Sequence, residues 1–230
     1  SATLAINERV QARRAAGQQV LHLGFGEAGL PVLPSVARVL AEAAPLTGYP
    51  PVAGTRSARA AAAGWFARRG VATDPDQIVL APGSKALLSA ILTALPGDVV
   101  LPVPSWVSYA AQAALAGKHV VGVPVPAAAG GVPDPDLLDE ALHRARSAGR
   151  APGVLVVTLP DNPTGTLAGE DLVRRVCAVA ADHDLTIVSD EIYRDLCWAP
   201  RPVTSPATVA PERTVVTSGL SKSMALGGWR

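Results

Sequence analysis

The chain has 230 residues, 49% of them hydrophobic, and its 20 basic and 19 acidic side chains leave a formal net charge of +1 with no run of like charge. That hydrophobic content supports a sizeable core and excludes disorder as the dominant state, and the balanced charge lacks the footprint of a nucleic-acid or anionic-membrane binder. Apolar stretches such as residues 153–159 are shorter than the about 20 residues that span a bilayer, Cys177 and Cys197 lack metal-ligand spacing, and no charged leader with an apolar core opens the chain. A cytoplasmic protein with two buried, reduced thiols and small-molecule partners is expected, without metal, nucleic acid or membrane.

In chain order, residues 4–16 read as an amphipathic helix and residues 20–23 as a short strand, followed by a stretch broken by glycine and proline up to Pro34. Residues 1–34 therefore form an N-terminal arm. Beyond it, short β-branched runs at 77–80, 99–103, 120–123, 154–159, 186–189 and 214–217 alternate with helical patterns near 84–95, 106–116, 135–148 and 169–183. Strand alternating with helix predicts an α/β fold, a three-layer α/β/α arrangement with a mostly parallel sheet buried on both faces, over residues 35–230.

Ligands of such sheets sit outside the carboxyl ends of the strands, so the polar residues there are the candidates. Ala81-Pro82-Gly83-Ser84-Lys85 follows a strand and opens a helix. Its backbone N–H groups and the helix dipole suit a phosphate, and the same residues also read as an ordinary turn with Ser84 as N-cap. Pro104-Ser105-Trp106 places an indole where it can stack on a planar ligand or fill the core. Pro160-Asp161-Asn162-Pro163-Thr164-Gly165 is a tight turn that can aim the Asn162 amide inward. Asp190 follows a hydrophobic strand, where burying a carboxylate is costly unless it meets a cation, and Tyr193 lies three residues on; a helix N-cap beside a core tyrosine describes the pair equally well. Lastly, Ser221-Lys222 and Arg230 are separated by small residues after another strand. A Schiff-base lysine needs a lowered pKa, and an arginine nearby favours it while gripping a phosphate bidentately.

These motifs, in this order, resemble the fold-type I pyridoxal-phosphate enzymes of the class I/II, aspartate-aminotransferase-like branch, and the likeness runs from Ser1-Ala2-Thr3-Leu4 and Leu23-Gly24-Phe25-Gly26-Glu27 through the whole chain. The resemblance implies pyridoxal 5'-phosphate as cofactor and amino-group transfer between an L-amino acid and a 2-oxo acid. It implies that Lys222 is the Schiff-base lysine and shuttles the α-proton, and that Asp190 pairs with the pyridine nitrogen. Asn162 and Tyr193 would bond the ring phenolate oxygen, with Trp106 on the ring face. Gly83, Ser84, Lys85 and Arg230 would hold the phosphate, joined by Tyr49 from the partner subunit of a homodimer, and Ser221 would also contact the cofactor. Gly26, Trp106 and Asn162 would face the substrate.

The pattern also departs from the family. Ala28 stands where a proline is usual, and Gly29-Leu30 replaces aspartate-phenylalanine. The C-terminal small domain and the arginine that binds the substrate carboxylate lie beyond Arg230, so the chain reads as an incomplete large domain that binds cofactor poorly by itself. Alternatives on the same fold are a pyridoxal-phosphate lyase, synthase or decarboxylase, a noncatalytic cofactor-binding domain, or an inert fragment.

Overall fold

The computed structural model describes residues 2–24, 26–27, 29–126, 131–198 and 202–229, with side chains from residue 5 onward. Helices α1 (Ala2–Ala15), α2 (Pro34–Ala43) and α3 (Arg56–Ala67) precede the alternating part, which runs α4 (Ser84–Ala94), β1 (Asp98–Val103), α5 (Val107–Leu115), β2 (Val120–Pro124), α6 (Pro135–Ser147), β3 (Pro152–Thr158), α7 (Glu170–Asp182), β4 (Thr186–Asp190), α8 (Pro206–Val209), β5 (Thr214–Thr217) and α9 (Leu220–Ser223). The five strands form one all-parallel sheet in the order β2-β1-β3-β4-β5.

Strand alternation sorts the side chains onto two faces. Val99, Leu101, Val154, Val156 and Val188 pack under α4 and α5 with Leu88, Leu92, Tyr109 and Ala113. Val100, Leu155, Val157 and Ile187 pack on the other face against Leu138 and Leu142 of α6 and Val173, Val176 and Cys177 of α7. Both faces are thus covered by helices, as a parallel sheet requires, and the predicted three-layer architecture is observed. Because β1 leads outward to β2 while β3 leads the opposite way to β4 and β5, the winding reverses between the adjacent strands β1 and β3. The carboxyl ends at such a reversal are where open α/β sheets bind their ligands.

Polar contacts fasten the layers. Asp98 at the start of β1 accepts the backbone N–H of His119 at 2.9 Å and of Ala151 at 3.3 Å, tying β1 to both flanking strands. Between the helices of one layer the buried His183, at the end of α7, bonds Asp139 of α6 at 2.6 Å, while Arg146 lies 2.6 Å from its Nδ1 and donates to its carbonyl at 2.6 Å. The arginine has only protons to offer, so Nδ1 accepts and the ring proton sits on Nε2, facing Asp139. Asp139, His143 and His183 bring ligand atoms within 4.8 Å of one another, but a metal there would displace the Nε2 proton and turn Arg146 away. The cluster serves as a clasp between helices.

Several expectations shift. Residues 77–80 are not a strand: Gln77 closes the 3-10 turn Pro75–Gln77, and Leu80 N–H bonds the Ala53 carbonyl at 3.0 Å instead of a sheet neighbour. Residues 20–23 are likewise irregular, because a β-branched or alternating run becomes a strand only where a neighbour supplies a ladder. The sequence reading assigns no element between residues 35 and 76, where α2 and α3 lie; α2 buries none of its residues and α3 only Ala63, so neither carries a well-buried stripe. Their start signals are nevertheless ordinary, proline at the first turn of α2 and Thr55 accepting Ala58 N–H at 3.3 Å before α3. Cys177 is buried as expected, with its thiol pushed up to about 11 chiefly by burial, whereas Cys197 is only half-buried. No helix among the described residues is long and apolar enough to cross a membrane.

Gly97 just before β1 has φ +82°, and an added Cβ would fall 2.7 Å from the Ala151 carbonyl and 2.8 Å from the Gly153 Cα. Gly97→Ala is expected to lower the unfolding free energy by more than about 1 kcal/mol, because strain adds to the collision. Urea unfolding with a lower midpoint and unchanged slope would register it.

Candidate active site

Register brings Thr158, Asp190 and Thr217, the last residues of β3, β4 and β5, side by side in one row. Their parity is that of Val154, Val156 and Val188, so the row faces α4 and α5. Tyr109 of α5 comes down onto it. Its phenol, 1% exposed, donates to Asp190 Oδ2 at 2.9 Å and lies 2.8 Å from the Thr158 hydroxyl. The Asp190 carboxylate is 3% exposed, and its Oδ1 accepts Ile192 N–H at 3.3 Å. Burial pushes its pKa up to about 6, opposed by hydrogen bonds from Tyr109 and Ile192 N–H, while the neighbouring Glu191 pushes it further up. Burial and the adjoining carboxylate also raise the Tyr109 phenol far above its ordinary range, so it is always a donor.

One residue on, the chain solves the same problem differently. Glu191 is fully buried, and it pairs with Arg194 at 2.5 Å, accepts from Ser189 Oγ at 3.1 Å and from the Ser205 hydroxyl. Arg194 also donates to the Arg69 and Val203 carbonyls at 2.9 and 3.1 Å. A buried charge pair of this kind needs such extra bonds to offset its desolvation. It anchors the turn that carries Tyr193.

Tyr193 Oη accepts from Asn162 Nδ2 at 3.1 Å, joining the turn after β4 to the turn after β3. Burial raises the Tyr193 phenol, with the Asn162 bond opposing and Asp190 adding to the rise. Asn162 is held in place because Asp161, only 6% exposed, accepts Thr164 N–H at 3.2 Å and the Thr164 hydroxyl at 2.5 Å. Gly131, at φ +88°, must be glycine beside it, since a Cβ would lie 2.1 Å from Asp161 Cβ. Lys222 lies in α9, five residues past the end of β5; its Nζ is 5.9 Å from the Tyr193 ring centre and donates to the Gly26 carbonyl at 2.5 Å. The N-terminal segment thus passes directly over the lysine.

At the opposite rim, Gly83 with φ 100° is the N-cap of α4, so Ser84 is the first helical residue and not the cap that a plain turn would have made it. Lys85 Nζ stands 5.1 Å from the Trp106 ring centre, and the Lys85 carbonyl accepts Gln112 Nε2 at 2.9 Å, binding α4 to α5. Trp106, half-buried, meets Tyr109 edge-on with ring centres 5.3 Å apart.

The structure therefore links Asn162 to Tyr193, Tyr193 to Lys222 and Lys222 to Gly26, and sets Trp106 beside Lys85, with Asp190 beneath Tyr109. Ser221 shares α9 with Lys222. Tyr49 is fully exposed and joins none of these contacts among the described residues. Arg230, like Phe25 and Ala28 of the N-terminal motif, lies outside the described residues. The sequence reading missed Tyr109, Thr158 and the trio Glu191, Arg194 and Ser205. Tyr109 follows Trp106 by three, one helical turn on the same face, and Thr158 occupies the strand end before an already suspected turn; those were the available signals.

The family described as aminotransferase class I and II matches residues 18–230. The chain belongs to this family. It is 36% identical to the probable aspartate/prephenate aminotransferase of Thermus aquaticus and 31% identical to the aspartate aminotransferase of Bacillus subtilis, in each case over all of this chain. Among solved structures, aspartate aminotransferase from Thermus thermophilus with maleate superposes with a TM-score of 0.90 at 34% identity, covering 100% of this chain. The chain spans about 60% of the length of these relatives.

Class I and II aminotransferases depend on pyridoxal 5'-phosphate, and the residues of this chain fit that group. A buried carboxylate raised by desolvation calls for a cationic partner, which a protonated pyridine provides. The open N-terminus of α4 suits a phosphate.

In the absence of cofactor Asp190 makes stability pH-dependent. Its folded pKa of about 6 exceeds the ordinary 3.8, so the folded state holds the proton more tightly, and stability present below pH 3.8 is lost as pH rises through about 6. About two units correspond to roughly 3 kcal/mol. Thermal melts of cofactor-free Asp190→Asn are expected to lose this decline between pH 4 and 6.

Proposed function

We propose that this chain is the cofactor-binding large domain of a pyridoxal-phosphate-dependent aminotransferase moving an amino group between an L-amino acid and a 2-oxo acid, with residues 1–34 as an arm across its site. The observation that carries the reading is the buried Asp190 carboxylate at the end of β4, braced by Tyr109, with the linked Asn162, Tyr193 and Lys222 on the neighbouring turns.

Bound there, the cofactor supplies an aldehyde for covalent attachment and a pyridine ring that serves as an electron sink. Asp190 would hold the proton on the ring nitrogen, because the hydrogen bonds it accepts from the Tyr109 phenol and Ile192 N–H come from neutral donors that leave its buried charge uncancelled. Asn162 and Tyr193 present an amide N–H and a phenol to one edge of the ring, and Trp106 covers a face. The N–H groups of Gly83, Ser84 and Lys85, with Ser221 and Arg230, hold the phosphate. Lys222, once its amine is free, would take the proton from the substrate α-carbon and give it back to the carbon on the far side of the intervening nitrogen, a single base serving both positions. Gly26, whose carbonyl already meets Lys222, lines the substrate side, along with Trp106 and Asn162. The exposed Tyr49 reaches the phosphate site of a second copy, which makes the working unit a homodimer in the cytoplasm. The protein's place is in amino-acid metabolism, chiefly biosynthesis.

Adding pyridoxal phosphate to the purified protein is expected to give an absorbance band near 420 nm that is lost in Lys222→Ala, since a methyl group cannot replace a nucleophilic amine. The relatives named aspartate aminotransferases make L-aspartate with a 2-oxo dicarboxylic acid the first pair to assay. Accumulation of the amine form of the cofactor supports transfer. Release of pyruvate and ammonia from an amino acid that carries a β-leaving group, such as L-cysteine or L-serine, with no amine form of the cofactor, would overturn it in favour of a lyase.

A further inference from the structure

We propose that Tyr109 is a positioning residue that holds Asp190 as an anion ready for a cationic aromatic nitrogen, with the Thr158 hydroxyl as the donor behind it. The inference rests on the cofactor reading above and deepens it. It starts from counting protons. Tyr109 has one, and it points at Asp190 Oδ2, 2.9 Å away. The Thr158 hydroxyl, 2.8 Å from the same phenol oxygen, must then donate to it. The result is a one-way chain, Thr158 to Tyr109 to Asp190, in which each bond polarises the next.

The direction depends on the charge of Asp190. A neutral carboxyl would carry its own proton and have no need of this donor; an anion needs every donor it can find. The groups facing it are Tyr109 from α5, the hydroxyls of Thr158 from β3 and Thr217 from β5, and Ile192 N–H, Tyr193 and Glu191 from the turn after β4. Glu191 opposes the anion, although Arg194 pairs with it. Burial keeps the Tyr109 phenol protonated at any working pH, so it never becomes a competing charge. Tyr109 is also fixed from the side by Trp106, the residue assigned to the ring face, which couples the carboxylate brace to the stacking surface.

Two measurements test this. In cofactor-free protein with carboxyl-labelled aspartate, the NMR titration midpoint of Asp190 should move upward by about one unit in Tyr109→Phe and by less in Thr158→Val, because the first removes the donor and the second only weakens it. Tyr109→Phe should also weaken uptake of pyridoxal phosphate about tenfold, while binding of its 1-deaza analogue, which lacks the ring nitrogen, stays unchanged. A purely packing role would weaken both ligands alike. An unmoved midpoint in Tyr109→Phe, or equal losses for the two ligands, overturns the proposal. If neither wild type nor variant takes up pyridoxal phosphate, the cofactor reading fails, and the titration still decides what Tyr109 does for Asp190. Should Tyr109→Phe not fold, Thr158→Val carries both measurements with the same sign.

Discussion

Keeping a carboxylate charged inside a protein is the constraint around which this site is built. Two acidic residues, Asp190 and Glu191, sit next to each other at the end of β4 with 3% and 0% exposure. In a strand, consecutive side chains point to opposite faces, so the two never share partners. Glu191 has its cation supplied from within the chain, by Arg194, and is structurally complete. Asp190 accepts from neutral donors among the described residues, the Tyr109 phenol and the Ile192 N–H, which reduce the cost of its charge without cancelling it. The asymmetry separates an anchor from a binding group: one carboxylate fixes the turn, and the other is left with an unmet demand that a ligand can satisfy.

Everything else in the site follows from where that demand is placed. A parallel sheet with helices on both faces buries its strands fully but leaves their carboxyl ends to loops, and the winding reverses between β1 and β3, the place where such sheets bind ligands. The turn after β3 brings Asn162, the turn after β4 brings Tyr193, and α9 after β5 brings Lys222, while α5 after β1 contributes Tyr109 and Trp106. Four successive strand ends thus each deliver a side chain to one region. Interactions between turns, as in the bond from Asn162 to Tyr193, fix their relative positions.

The legible part of the molecule was the part whose signal is local. Residues 99–103, 120–123, 154–159, 186–189 and 214–217 announce strands through β-branched composition, and each lies in β1 to β5 to within a residue or two. Residues 77–80 carry the same composition and are not a strand, since Leu80 bonds Ala53 of a loop in place of a sheet strand. Asp190, Asn162 and Lys222 could be suspected because a polar residue after a hydrophobic run is costly or conspicuous. Tyr109 could not, because an aromatic residue on an apolar helix looks like core until its hydroxyl is seen against a carboxylate.

Sequence by itself determined the α/β class, the order of the strands along the chain, and the set of polar residues set at strand ends, since all three depend on short-range periodicity and on the cost of burying charge. Only the tertiary structure decided which strands are neighbours, which of two adjacent acids keeps a partner within the chain, and that Thr158, Tyr109 and Asp190 form one line. The bonds of Tyr109 to Thr158 and to Asp190 join residues 49 and 81 positions apart, and register across a sheet, which no local pattern encodes, is what brings them together.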